Sequence, residues 1–98
     1  MKLNEYLLIC LAEECAEVQQ RATKALRFGD DECQPGQDFD NVDRLSFELC
    51  DLVAVVELLQ EQGMPLELDD REAIEAKKLK VAEFMKLSIK LGILEVPR

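Results

Sequence analysis

Five acidic side chains, in two groups, are the residues of this chain best suited to carry out chemistry. Glu13, Glu14 and Glu17 form an EExxE pattern, and Glu48 and Asp51 form an ExxD pattern. Residues three or four positions apart project from one side of a helix, so each pattern gathers carboxylates on one face. Because the chain has no histidine, catalysis through a Ser-His or Cys-His pair is excluded, and proton chemistry needs Asp, Glu, Lys, Tyr or a metal-bound water.

These carboxylates interrupt helix faces that are otherwise apolar. On a helical wheel centred on Glu14, Leu7 and Val18 lie within about 40°. On a wheel centred on Glu48, Leu52 and Leu59 lie within about 60°. An acidic pair therefore sits on the predicted core face of two different helices.

A cation is the simplest partner for such buried acids. An unpaired buried carboxylate costs several kcal/mol, and gathered carboxylates also repel one another. Glu14, Glu17, Glu48 and Asp51 offer only oxygen ligands, which suit Mg²⁺ or Mn²⁺, and a Mg²⁺ site of this kind often takes substrate phosphates as further ligands. The alternative is a solvated acidic face paired with nearby cations, for which the candidates are Arg21, Lys24 and Arg44.

Composition restricts the classes of function. The 98 residues carry a net charge of -9, with 48% hydrophobic and 34% charged residues, which predicts a folded domain and argues against a duplex nucleic-acid surface. No stretch approaches the roughly 18 apolar residues of a membrane span, and we expect a cytoplasmic protein without membrane contact. The four cysteines lack zinc-site spacing and are predicted to be reduced and mostly buried.

Three segments have helical periodicity, and each is followed by a glycine. The helices are predicted over residues 3–28, from a cap at Asp40 or Asn41 to about residue 62, and from a cap at Asp69 or Asp70 to about residue 91. Residues 29–39 form the first connection. The fold class is therefore all-α, an antiparallel bundle of three main helices in one domain over residues 1–98. In the third helix the residues predicted to face inward are Ile74, Val81, Phe84, Met85, Ser88 and Ile89.

The second helix also predicts self-association. Residues 49–56 are apolar nearly all round apart from Asp51, so this segment needs cover on more than one side. A single chain of this length has too few helices to provide that cover. We expect a homodimer or higher homo-oligomer, with Val53, Ala54 and Leu58 as contact residues.

The two acidic motifs, taken in order, resemble the signature of the MazG-like all-α nucleoside triphosphate pyrophosphohydrolases. The resemblance covers residues 1–91, and the loop at 29–39 separates the motifs further than is usual in that family. It implies Mg²⁺-dependent hydrolysis of a nucleoside triphosphate to a monophosphate and pyrophosphate. It also implies that Glu14, Glu17, Glu48 and Asp51 are metal ligands, with Glu13 as a further ligand or a base that orients water.

A triphosphate substrate also needs cations and a place for its base. Candidate phosphate ligands are Arg21, Lys24, Lys77 and Lys80, of which Arg21 projects toward the Glu14 face; the alternative is that these are solubilising surface charges. Phe28, Phe39 and Phe84 could stack on a base, although aromatic residues at helical spacing are more often core. Two other functions stay open, a non-catalytic helical protein that docks a basic partner and a divalent-metal-binding regulatory module.

Overall fold

The computed structural model describes residues 1–97 and contains three helices and no strand in that range. The helices are α1 (Leu3–Phe28), α2 (Asn41–Glu61) and α3 (Arg71–Lys90). The all-α prediction with three helices is confirmed. The chain divides after Leu66 into two compact units, the first holding α1 and α2 and the second holding α3.

Capping residues account for where these helices begin. Asp40 precedes α2, and its carboxylate accepts a hydrogen bond from the Asp43 backbone N–H at 2.8 Å, while the Asp43 carboxylate accepts from the Asp40 N–H at 3.3 Å. The Asp70 carboxylate caps α3 with a single hydrogen bond, which it accepts from the Ala73 backbone N–H at 3.0 Å. These reciprocal or single bonds satisfy N–H groups that a helix start leaves unpaired. The N-terminal cap of α2 is thus Asp40 rather than Asn41, and the cap of α3 is Asp70 rather than Asp69.

In the first unit, α1 and α2 form an antiparallel pair. The Val42 N–H donates to the Asp30 carbonyl at 3.3 Å, which joins the end of α1 to the start of α2. At the opposite end, Leu7 of α1 and Val56 and Leu59 of α2 are the buried apolar side chains. The acidic motifs lie between this small core and the 29–40 loop.

A buried asparagine fastens that loop. Asn41 is only 2% exposed, and its Nδ2 donates to the Gly29 carbonyl at 2.8 Å and to Glu32 Oε2 at 3.0 Å. Gly29 follows the last residue of α1 and has a φ of 96°, a backbone conformation that residues other than glycine rarely adopt. The loop is therefore held at both ends by backbone geometry and by one amide.

The second unit is more open than its sequence pattern predicts. No residue of α3 is buried. Ile74, Ser88 and Ile89 are half-buried, but Val81, Phe84 and Met85 are exposed, so the prediction that these last three face a core is wrong. Periodicity identifies an apolar stripe, whereas burial requires a second element, and this unit contains a single helix.

The cysteine prediction is wrong in its detail. All four are free, but Cys15, Cys33 and Cys50 are exposed, and only Cys10 is half-buried. Cys15 and Cys50 lie on helix faces that the packing of α1 on α2 leaves open to solvent, and Cys33 lies in the loop between these helices.

No described helix is long and apolar enough to cross a membrane.

Candidate functional site

The two acidic motifs meet where α1 and α2 face each other. Glu14 comes from α1, and Glu48 and Asp51 come from α2; one carboxylate oxygen of each lies within 4.8 Å of the others. Glu48 and Asp51 are three residues apart and so project from one side of α2. The antiparallel packing of α1 then brings Glu14 against that side.

The electrostatics of this carboxylate cluster, Glu14, Glu48 and Asp51, favour a proton or a cation. Glu14 and Glu48 are half-buried, and Asp51 is exposed. Partial burial raises the pKa of Glu14 above its usual value, and so do the nearby charges of Asp51, Glu48, Glu17 and Glu13. A raised carboxylate pKa means that this site disfavours its own negative charge, which a bound cation would relieve.

The other two acids of the first motif stand beside the cluster. Glu13 and Glu17 are exposed, and neither belongs to the group of three mutually close carboxylates. Both lie near enough to add to the repulsion on Glu14. The structure therefore brings together three of the four predicted metal ligands and places Glu17 next to them.

The donor set of the cluster fits a hard divalent cation. It consists of carboxylate oxygens without sulfur or nitrogen, which matches the preference of Mg²⁺ and Mn²⁺. Around an octahedral Mg²⁺ with bonds of about 2.1 Å, neighbouring ligand oxygens lie about 3 Å apart and opposite ones about 4.2 Å apart. The three oxygens of the cluster lie within 4.8 Å of one another, so binding would draw them closer through rotation of the Glu and Asp side chains.

A pocket adjoins the cluster toward the 29–40 loop. Its volume is about 280 Å³, and it is lined by Arg21, Phe39, Arg44, Phe47 and Glu48. The two phenylalanine rings meet edge to face, with centroids 4.9 Å apart and planes at 89°. Glu48 belongs to both the pocket and the carboxylate cluster, so the two sites are adjacent.

Two arginines give this pocket positive charge within an acidic protein. Arg21 is half-buried, and its Nη1 atom is buried without a hydrogen-bond partner among the residues described. Arg44 donates through Nη2 to the Gln37 side chain in the loop. Arg21 thus projects inward as its wheel position predicts, and the residue lines the pocket.

None of the remaining predicted phosphate ligands is a lining residue of the pocket. Lys24 is half-buried on α1 but does not line the pocket, and Lys77 and Lys80 are exposed on α3. Sequence reasoning assigned no substrate role to Arg44 or Phe47. Arg44 precedes Glu48 by four residues and so lies on the same face of α2, and this spacing could have identified Arg44 as a candidate. Phe47 lies about 100° away from Glu48 around the helix. It lines the pocket only because of the position of the loop.

Comparisons with protein-family models, with curated proteins and with solved structures give no significant match for this chain.

Proposed function

We propose that this protein is a Mg²⁺-dependent nucleoside triphosphate pyrophosphohydrolase of the MazG-like kind. The observation that carries the proposal is the convergence of Glu14, Glu48 and Asp51 from two helices beside a pocket that holds two arginines. A divalent cation and a polyanion are complementary to these two neighbouring sites. The order of the EExxE and ExxD motifs, and the residue spacing within each motif, support the same activity.

The side chains have distinct roles in this proposal. Glu14, Glu48 and Asp51 hold the metal, with Glu17 as the fourth ligand and Glu13 as a further ligand or water-orienting base. Bound Mg²⁺ supplies Lewis-acid polarisation of the phosphates and lowers the pKa of water. Arg21, which lines the pocket, contributes positive charge toward a phosphate oxygen.

The proposed reaction transfers the nucleotidyl group, with its α-phosphorus, to water. The water oxygen bonds to the α-phosphorus, the bond from that phosphorus to the oxygen bridging to the β-phosphate breaks, and pyrophosphate leaves with the electron pair. A carboxylate beside the cluster takes the proton of the attacking water. The arginine side chains of the pocket balance the charge that develops on the departing pyrophosphate.

We also propose that the protein works as a homodimer or higher homo-oligomer. The buried apolar core among the described residues consists of Leu7, Val56 and Leu59, and each such side chain contributes only about 1.5–3 kcal/mol. On α2, Val53 and Leu58 are 40% and 46% exposed. A second copy that covers this face, with the same patch on both partners, would supply the missing core.

The experiment that tests the activity is a screen of NTPs and dNTPs for pyrophosphate release with Mg²⁺ or Mn²⁺. Wild-type protein should release pyrophosphate only with metal present, and Glu14→Gln should abolish release. Glu57→Gln is the matched control because it removes one exposed acid of α2 outside the cluster. No release from any nucleotide would refute the proposal, and metal binding without turnover would favour a regulatory metal-binding module.

A further inference from the structure

The side of the α1–α2 pair that faces away from the carboxylate cluster carries no charged residue. At 100° per residue, an arc of about 80° on α1 contains only Asn4, Leu8, Leu11, Cys15, Val18, Ala22 and Leu26. The matching arc of α2 contains only Val42, Ser46, Leu49, Val53, Val56 and Gln60. Because the two helices are antiparallel, both arcs lie on one side of the pair, which we call the uncharged side.

Much of the uncharged side is exposed in the single chain. Leu8 of α1 is 43% exposed, and on α2 both Leu49 and Val53 are at least 40% exposed. Charged residues make up 34% of this chain, so a surface that spans two helices without any charge is unusual for a face in contact with water. Such a surface is typical of an interface with another protein element.

The third helix has a surface that complements the uncharged side. Ile74, Val81, Met85 and Ile89 form one apolar stripe on α3, and Val81 and Met85 are exposed. The helix carries six basic and three acidic residues, whereas Met1–Leu66 carries fourteen acidic and five basic residues. Two α3 helices would therefore repel each other, while α3 and an α1–α2 pair attract each other.

The partner that these properties favour is a second copy of the chain. Val53 and Val81 are both exposed in the single chain, so the uncharged side and the α3 stripe each still need a partner. A reciprocal exchange around a two-fold axis would cover both surfaces in both copies. We propose that the protein forms a homodimer in which α3 of each copy packs on the uncharged side of the other. This inference rests on the self-association proposed above and does not depend on the proposed hydrolysis.

The test mixes two variants that each damage one of the two surfaces. Val81→Glu places a charge on the α3 stripe, and Leu49→Glu places a charge on the uncharged side. Each variant alone should be monomeric, because every contact in its dimer would include one damaged surface. An equimolar mixture should form a heterodimer, because an intact α3 from one variant meets an intact uncharged side from the other. Native mass spectrometry identifies the heterodimer when one variant is labelled with ¹⁵N.

Leu79→Glu is the matched control for the α3 variant. Leu79 is an exposed apolar residue of α3 that lies about 160° around the helix from Val81, so this variant should remain dimeric. The mixture should also regain any helicity that either variant loses alone, which circular dichroism measures, so poor folding of one variant would not hide the exchange.

The other possible pairings give different results. Pairing between two α3 helices would leave Leu49→Glu dimeric, and pairing between two uncharged sides would leave Val81→Glu dimeric. Either result overturns the inference, and so does a monomeric wild-type protein or a mixture without heterodimer. No nucleotide or metal enters this test, so a protein that forms the heterodimer but releases no pyrophosphate would refute only the proposed hydrolysis.

Discussion

Replacing Asn41 with aspartate should loosen the loop that carries Phe39 without changing the size of the side chain. In the wild-type protein, Asn41 Nδ2 donates to the Gly29 carbonyl at 2.8 Å and to Glu32 Oε2 at 3.0 Å. An ionised aspartate offers oxygens to these two acceptors and can donate to neither. The substitution therefore removes two hydrogen bonds and adds repulsion at a position that is 2% exposed.

The size of the effect follows from those contacts. The bond to the neutral carbonyl contributes about 1 kcal/mol and the bond to the charged, half-buried Glu32 about 2 kcal/mol. The negative charge of the new aspartate lies in the first turn of α2, where its interaction with the helix dipole stabilises the folded state by up to about 1 kcal/mol. The net loss is about 2–3 kcal/mol, which corresponds to a fall in Tm of about 10–20 °C for a chain of this size.

The pH dependence of this variant provides a second check. Glu32 and the Gly29 carbonyl raise the pKa of the new aspartate in the folded state above its unfolded value of about 3.9. Because the folded state then binds the proton more tightly, the variant should regain stability as the pH falls through the folded pKa. A protonated carboxyl group can also donate one of the two lost hydrogen bonds.

Thermal melts of the wild-type protein and Asn41→Asp at pH 7 and pH 4, at equal protein concentration, measure both effects. Glu32→Gln is the control. The oxygen of the new glutamine side chain can still accept a hydrogen bond from Asn41, so the Tm of this variant should fall far less than that of Asn41→Asp. In the nucleotide assay, Asn41→Asp should raise KM more than it lowers kcat, since the loop forms the pocket wall. Equal melting temperatures for the wild-type protein and Asn41→Asp at pH 7 would refute this account of the loop.

Four further outcomes are expected. Mg²⁺ should stabilise the wild-type protein by mass action and so raise its Tm. At a Mg²⁺ concentration 100 times the Kd of the site, the gain in the free energy of unfolding is about 2.7 kcal/mol. Glu14→Gln should lose most of this Mg²⁺-dependent rise in Tm. Without metal, stability of the wild-type protein should rise on acidification from neutral pH through the raised pKa of Glu14, and the melts of Glu14→Gln should lack this component. Light scattering should find a dimer or larger assembly, and Val53→Glu should dissociate it, because that side chain is exposed on the apolar face of α2; a wild-type monomer at tens of micromolar would contradict this. Hydrolysis in ¹⁸O-labelled water should place the label in the nucleoside monophosphate, and label only in orthophosphate would exclude attack at the α-phosphorus.

Local sequence was sufficient to locate the helices. Periodicity, glycine stops and capping aspartates act within a few residues of where they stand, so α1 begins and ends where the pattern predicts, at Leu3 and Phe28. The same reasoning placed Glu14 and Glu48 on the inward stripes of their helices, and both are half-buried. Helix position and the inward face of each helix both follow from the repeat of 3.6 residues per turn, which can be read from the sequence alone.

Tertiary structure alone decided which side chains meet and which are covered. Phe39 and Phe47 form one wall because the loop folds back over the start of α2, held by Asn41, and helical periodicity contains no information about that path. Val81, Phe84 and Met85 lie on a regular apolar stripe yet are exposed, since a stripe becomes a core only where another element packs on it. The position of Glu14 opposite Asp51 likewise depends on the register between α1 and α2, which side-chain packing sets.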